Sequence, residues 1–253
     1  MYLWKYWRES RVALVIAALA VVMLAVLTFK GHEGAIENPH AYAGVVFVLQ
    51  FVTAASVGLF AWGMGSFGVG RSLGEGAGAF LLTRPRRRSW FLWRDWGAGL
   101  TFVAIFLVLL SMLEGVGVSR GLAAADAPVK QILLHGGEDS ASLIECLGLN
   151  AIAAFLFCGL VFGIVYLMTI VLKNALGIVV GGGVLAGYVI ASALLHHYTG
   201  HALPALLQLV YAPPSNNSPT VFTHALGVSM AVRAGVALLF PIAAQMVLER
   251  SDI

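Results

Sequence analysis

Residues 144–172 read IECLGLNAIAAFLFCGLVFGIVYLMTIVL, 29 residues whose only acidic or basic side chain is Glu145 at the edge. As a helix rising 1.5 Å per residue this stretch measures about 44 Å, more than the roughly 30 Å of a bilayer hydrocarbon core. It is apolar on every face and lacks the alternation of a half-buried strand, so it reads as a helix in lipid. Working outward, five more blocks have the same character: Val12 to Phe29, Gly44 to Ser66, Gly97 to Val118, Ala175 to Leu195 and Ala225 to Leu248. The expected fold class is an all-α membrane protein of six transmembrane helices forming one domain.

Composition agrees. Of 253 residues, 60% are hydrophobic and 11% charged, and mean hydropathy is +0.89. Soluble domains carry roughly 25% charge, and no soluble core absorbs so much apolar surface. The net charge of +3 would suggest nucleic acid in a soluble protein, but here the basic residues sort by side. Lys5, Arg8, Arg11, Arg71, Arg84, Arg86, Arg87, Arg88, Arg94, Lys173 and Arg250 fall on one side; Lys30, Arg120 and Lys130 fall on the other. The positive-inside rule then puts both termini in the cytoplasm, in accord with an even number of spans.

Residues 1–11 mix Trp4, Tyr6 and Trp7 with Lys5, Arg8 and Arg11, a blend that favours the headgroup layer. They are expected to form an interfacial helix leading into the first span. A cleaved signal peptide fits less well, because Lys30-Gly31-His32-Glu33 does not resemble a small-residue cleavage site. On the outer side, residues 196–224 contain Leu203 to Tyr211, too short to span, followed by Ala212-Pro213-Pro214-Ser215-Asn216-Asn217-Ser218-Pro219. The pattern predicts a short helix and then a turn.

The segment richest in chemistry is 67–96, on the basic side between the second and third spans. Glu75 and a Gly-rich approach precede Phe80-Leu81-Leu82-Thr83-Arg84-Pro85-Arg86-Arg87-Arg88, and Trp90, Phe91, Trp93 and Trp96 interleave with Arg94 and Asp95 beyond it. A loop that only touches anionic headgroups accounts for the arginines. It gives no reason for the apolar Phe-Leu-Leu anchor inside a charged rim, a combination suited to docking in another protein's groove. Two amphipathic helices separated by a turn are expected, the second running into the third span.

Here the sequence resembles the type-2 ABC permeases of bacterial exporters. Members of that family open with an amphipathic surface helix, span six times, and carry between spans two and three an acidic residue, a Gly-containing approach, a Phe-Leu-Leu-Ser/Thr-x-Pro core and a following basic residue. Glu75, Phe80, Leu81, Leu82, Thr83 and Pro85 match that pattern, and Arg86, Arg87 and Arg88 supply basic positions. Two features depart from it: Gly76-Ala77-Gly78 stands where Gly-Thr is common, and Arg94 where a Lys is common. The resemblance implies that residues 67–96 form a coupling segment gripped by a separate ATPase subunit. It also implies a second permease copy or a homologous permease, and a bacterial cytoplasmic (inner) membrane location. The chain has no Gly-x-x-x-x-Gly-Lys-Ser/Thr loop, so ATP and magnesium would sit on the partner.

Within the spans, Glu114 and Arg233 are ionisable groups in the outer half, where they are expected to approach each other or line a polar vestibule. A structural ion pair and a role in a substrate path both remain open. Gly159 and Gly163, Gly177 and Gly181, and Gly183 and Gly187 are small-residue pairs suited to helix packing, within the subunit or at a dimer seam. His196, His197, His201 and His224 gather on the outer side, but Gly200 interrupts the turn and no carboxylate adjoins them, so no metal site is expected. Cys146 and Cys158, about 18 Å apart along one helix, cannot bridge each other and read as packing residues. No span shows an in-membrane catalytic constellation, so no enzymatic chemistry is expected of this chain. An intramembrane enzyme is the weakest alternative, and a membrane scaffold recruiting a cytoplasmic partner or anionic lipid is a stronger one.

Overall fold

The computed structural model describes residues 11, 15, 17–23, 26, 39–67, 69, 71, 88–135, 143–174, 176–199 and 224–250. The interfacial segment before Arg11, most of the first expected span, Glu75, the Phe80 to Arg87 motif and the 200–223 loop lie outside them. Among the described residues, 17–23 are helical, and six further helices are α1 (Pro39–Gly65), α2 (Arg88–Ala124), α3 (Ala127–His135), α4 (Leu143–Leu172), α5 (Gly177–Thr199) and α6 (His224–Arg250). All but α3 are long and apolar enough to cross a membrane. Among the described residues there is no strand. The protein is therefore a helical membrane protein.

The contacts fix the relative directions. Tyr42 lies beside Val118 and Phe60 beside Phe106, so α1 and α2 are antiparallel. Asn150 meets Gln50, and the α-carbon of Gly58 faces Phe157, so α4 runs with α1. Gly163 on α4 faces Phe240 on α6, which runs the same way, whereas Gly177 and Gly181 on α5 face Thr169 and Val165 in the opposite sense. α4 is the hub, touching each of the other five helices.

Alternation sorts the charges onto two ends. Arg71, Arg88, Arg94, Lys173 and Arg250 lie at one end; Arg120 and Lys130 lie at the other. We call these the basic end and the distal end. α2 runs unbroken for 37 residues, passing through Gly97 and Gly99 without a break. Leu92, near its start, is fully buried, and its carbonyl accepts a 3.1 Å hydrogen bond from the Tyr166 hydroxyl. Trp90 and Trp93 face outward, Arg94 lies 5.0 Å from the Trp90 ring, and the Trp93 indole donates to Gln245. This mixed polar and aromatic exposure suits the headgroup layer. Asp95 is buried and accepts a 2.6 Å hydrogen bond from the Val69 backbone N–H, tying the chain beyond α1 to α2.

Two apolar clusters fill the bundle. The larger, toward the basic end, packs Val57, Ala61 and Met64 of α1 against Val103, Phe106 and Leu110 of α2, Cys158, Phe162 and Tyr166 of α4, and Leu248 of α6. Ala17 also joins it, with Ala20 and Val21 alongside, so part of the first expected span packs on this core. The smaller cluster, at the distal end, joins Tyr42, Val46, Val118, Leu122 and Leu143 to Leu133 of α3. Outward-facing positions are apolar too: Leu59, Met112, Val179, Ile190 and Leu239 are all more than half exposed, as lipid contact requires.

The α4–α5 turn is tight. Lys173 adopts a positive φ of 53° just beyond the end of α4, the position where a left-handed residue ends a helix. The Asn174 side chain then accepts the Leu176 N–H at 2.8 Å and caps the approach to α5. The small-residue pairs of α5 behave differently from each other. A Cβ at Gly177 or Gly181 would press on the α4 backbone, whereas Gly183 and Gly187 face open space. On α4, Gly163 seats the Phe240 ring, while Gly159 has only a loose contact with Ala237.

Candidate functional site: a polar cavity in the membrane interior

Between the two apolar clusters lies a polar layer built by three helices. α1 contributes Gln50, Thr53 and Ala54; α2 contributes Leu107, Ser111, Glu114 and Gly115; α4 contributes Leu147, Asn150, Ala151 and Ala154. Within each helix these residues recur at steps of three and four with one adjacent pair, so each helix presents a single stripe to a common space. The space is a cavity of about 110 Å³. Small residues at 54, 115, 151 and 154 leave the room, and Gly115 on the rim is exposed.

The walls are unusually polar for a membrane interior. Thr53, Glu114 and Asn150 are each 4% exposed, and Gln50 is buried with them. The Asn150 amide donates to the Gln50 side-chain oxygen across the α1–α4 contact. The Glu114 carboxyl and the Thr53 hydroxyl, by contrast, lie beside each other, but Glu114 Oε1 and Thr53 Oγ1 make no hydrogen bond of normal geometry among the described residues. A buried oxygen left without a donor costs about 1 to 3 kcal/mol. A cavity with several polar walls and room for solvent is the arrangement that holds water or a polar ligand.

Closure on the distal side is apolar and specific. The Tyr42 hydroxyl donates to the Val118 carbonyl at 3.0 Å, and its ring covers Gly121, where any side chain would collide with it. Val46, Leu122 and Leu133 complete this cover. On the other side Val57, Leu110 and Cys158 belong to the larger apolar cluster toward the basic end. The polar layer thus lies between two apolar clusters, and its cavity is partly open at the bundle surface, where Gly115 is exposed.

Of the residues singled out from sequence, Glu114 forms part of the wall. Arg233 is fully buried on α6 and is not among the lining residues. Gln50, Thr53, Ser111 and Asn150 were not anticipated. Gln50 and Asn150 carried a signal in being amides inside otherwise apolar blocks. Among the described residues, no group of three or more His, Cys, Asp or Glu side chains is placed to hold a metal ion; His197 at the distal end is exposed, and His201 lies outside them. Cys158 is buried with a free thiol. No protein-family model, curated protein or solved structure matches the chain.

Proposed function

We propose that this chain is the transmembrane permease subunit of a type-2 ABC exporter, driven by an ATPase on a separate polypeptide. The observation that carries the reading is where the motif-bearing segment attaches. Residues 66–87 connect the end of α1 to the start of α2, and both attachment points lie at the basic end. Glu75 and Phe80 to Arg87 therefore fall, along the sequence, between two helices that pack directly on each other, and Arg88 opens the second. Force on such a segment reaches α1 and α2 together, and these two helices form two of the three cavity walls.

In this reading the basic end is cytoplasmic, residues 12–29 supply a sixth span, and both termini are cytoplasmic. Two permease copies, or this chain and a homologous one, stand over two ATPases that bind ATP and magnesium. ATPase closure pushes on the coupling segment and shifts α1 and α2 against the α4 hub. The polar cavity then opens alternately past the distal and basic apolar clusters. Pro241 inside α6 removes one helical hydrogen bond and provides a place for that helix to bend.

Co-purification tests the proposal. Tagged chain drawn from its native membrane is expected to bring down a P-loop ATPase in comparable amount, with ATP hydrolysis sensitive to the P-loop lysine of that partner. Replacing Phe80, Leu81 and Leu82 with serine is expected to release the ATPase while the permease remains folded. Recovery of the intact chain without any nucleotide-binding protein overturns the reading.

A further inference from the structure

We propose that the cavity between α1, α2 and α4 is a binding site for a monovalent cation, either an alkali ion or a primary ammonium group. The inference rests on the cavity walls and stands apart from the permease reading. Glu114 is the only acidic or basic residue among the lining residues. A buried carboxyl is ionised only with a compensating positive charge or water beside it, and otherwise keeps its proton. The Glu114 Oε1 and the Thr53 hydroxyl oxygen lie close together, neither in a hydrogen bond of normal geometry among the described residues, and Ser111 brings a third oxygen to the same cavity. The Asn150 and Gln50 amides hold each other, which fixes the α1–α4 side of the cavity around these oxygens.

Charge and donor type select the ligand. Calcium takes six to eight oxygen ligands, typically with several carboxylates, and this wall has one. Zinc prefers cysteine and histidine, and neither lines the cavity. One carboxylate with neutral hydroxyl and amide oxygens balances a single positive charge. The volume of about 110 Å³ accommodates an alkali ion with several waters, or a small ammonium group, but not a bulky organic cation.

Thermal melting of the purified chain in detergent tests this without ATP or a partner. Starting in N-methyl-D-glucamine chloride, a cation too large for the cavity, sodium, potassium or methylammonium chloride replaces it at constant ionic strength. At ten times the half-saturating concentration a bound cation is expected to raise the melting temperature by about 3 to 6 °C. A rise with sodium or potassium assigns an alkali ion, and a rise with methylammonium alone assigns an ammonium group. Glu114→Gln is expected to abolish the rise. Thr53→Val, which keeps the shape of the side chain, is expected to shift half-saturation at least tenfold and serves if Glu114→Gln fails to fold. Equal melting in all four salts overturns the proposal, as does a rise that survives these substitutions unchanged. Because the readout is melting and not ATP hydrolysis, the site and the permease reading can fail separately.

Discussion

The amide pair across the cavity gives the sharpest energetic expectation. Asn150 and Gln50 are both buried, and the first donates to the second. Truncating Asn150 to Ala strips the buried Gln50 oxygen of its protein donor, at about 1 to 3 kcal/mol. Truncating Gln50 to Ala deprives the Asn150 amide in the same way. Because the two losses share one hydrogen bond, they cannot add. Polar contacts between membrane helices couple by about 0.6 kcal/mol on average and up to about 1.7. For a chain of this size each kcal/mol moves the melting temperature by about 2 to 4 °C. The Gln50→Ala/Asn150→Ala double variant should therefore melt about 1 to 7 °C above the value that summing the single shifts would give. The assay is thermal unfolding of the wild type, both single variants and the double in one detergent. Strict additivity, within about 0.3 kcal/mol, would show that the amides do not engage and would remove the frame of the polar layer.

Two further expectations concern backbone sites. Gly177→Ala should lower the melting temperature, since its Cβ meets the Thr169 backbone, which cannot yield, and overpacking costs about 1 to 3 kcal/mol. Gly187→Ala, facing open space on the same helix, should be neutral or gain up to about 1 kcal/mol of helix propensity, and equal losses at both positions would refute the α4–α5 contact. Lys173→Gly should raise the melting temperature, because a left-handed backbone costs a non-glycine residue about 1 to 2 kcal/mol, while Lys173→Val should lower it.

The helical membrane class was legible because lipid demands long apolar blocks, and residues 144–172 satisfy that demand on every face. Helix lengths were less legible. Hydropathy marks where a span leaves the apolar layer, not where its hydrogen bonding stops, and α2 continues past Val118 to Ala124 and begins as early as Arg88. Glu114 stood out in sequence because a charge inside a span is costly. Thr53 and Ser111 did not, since hydroxyls are ordinary in membrane helices and acquire meaning only from the neighbouring helix. The glycines make the same point: Gly177 with Gly181 and Gly183 with Gly187 share one spacing, yet only the first pair lies where α5 meets α4. Which face meets which is a tertiary fact, set by side chains such as Phe157, Phe240 and Trp62 that fill the grooves of another helix.

The most direct test of the account is a photo-cross-linking side chain placed at Leu82 in living cells. The expected product joins this chain to a cytoplasmic P-loop ATPase and is diminished when Phe80 and Leu81 become serine. Capture of lipid alone, or of a protein on the opposite side of the membrane, would contradict it.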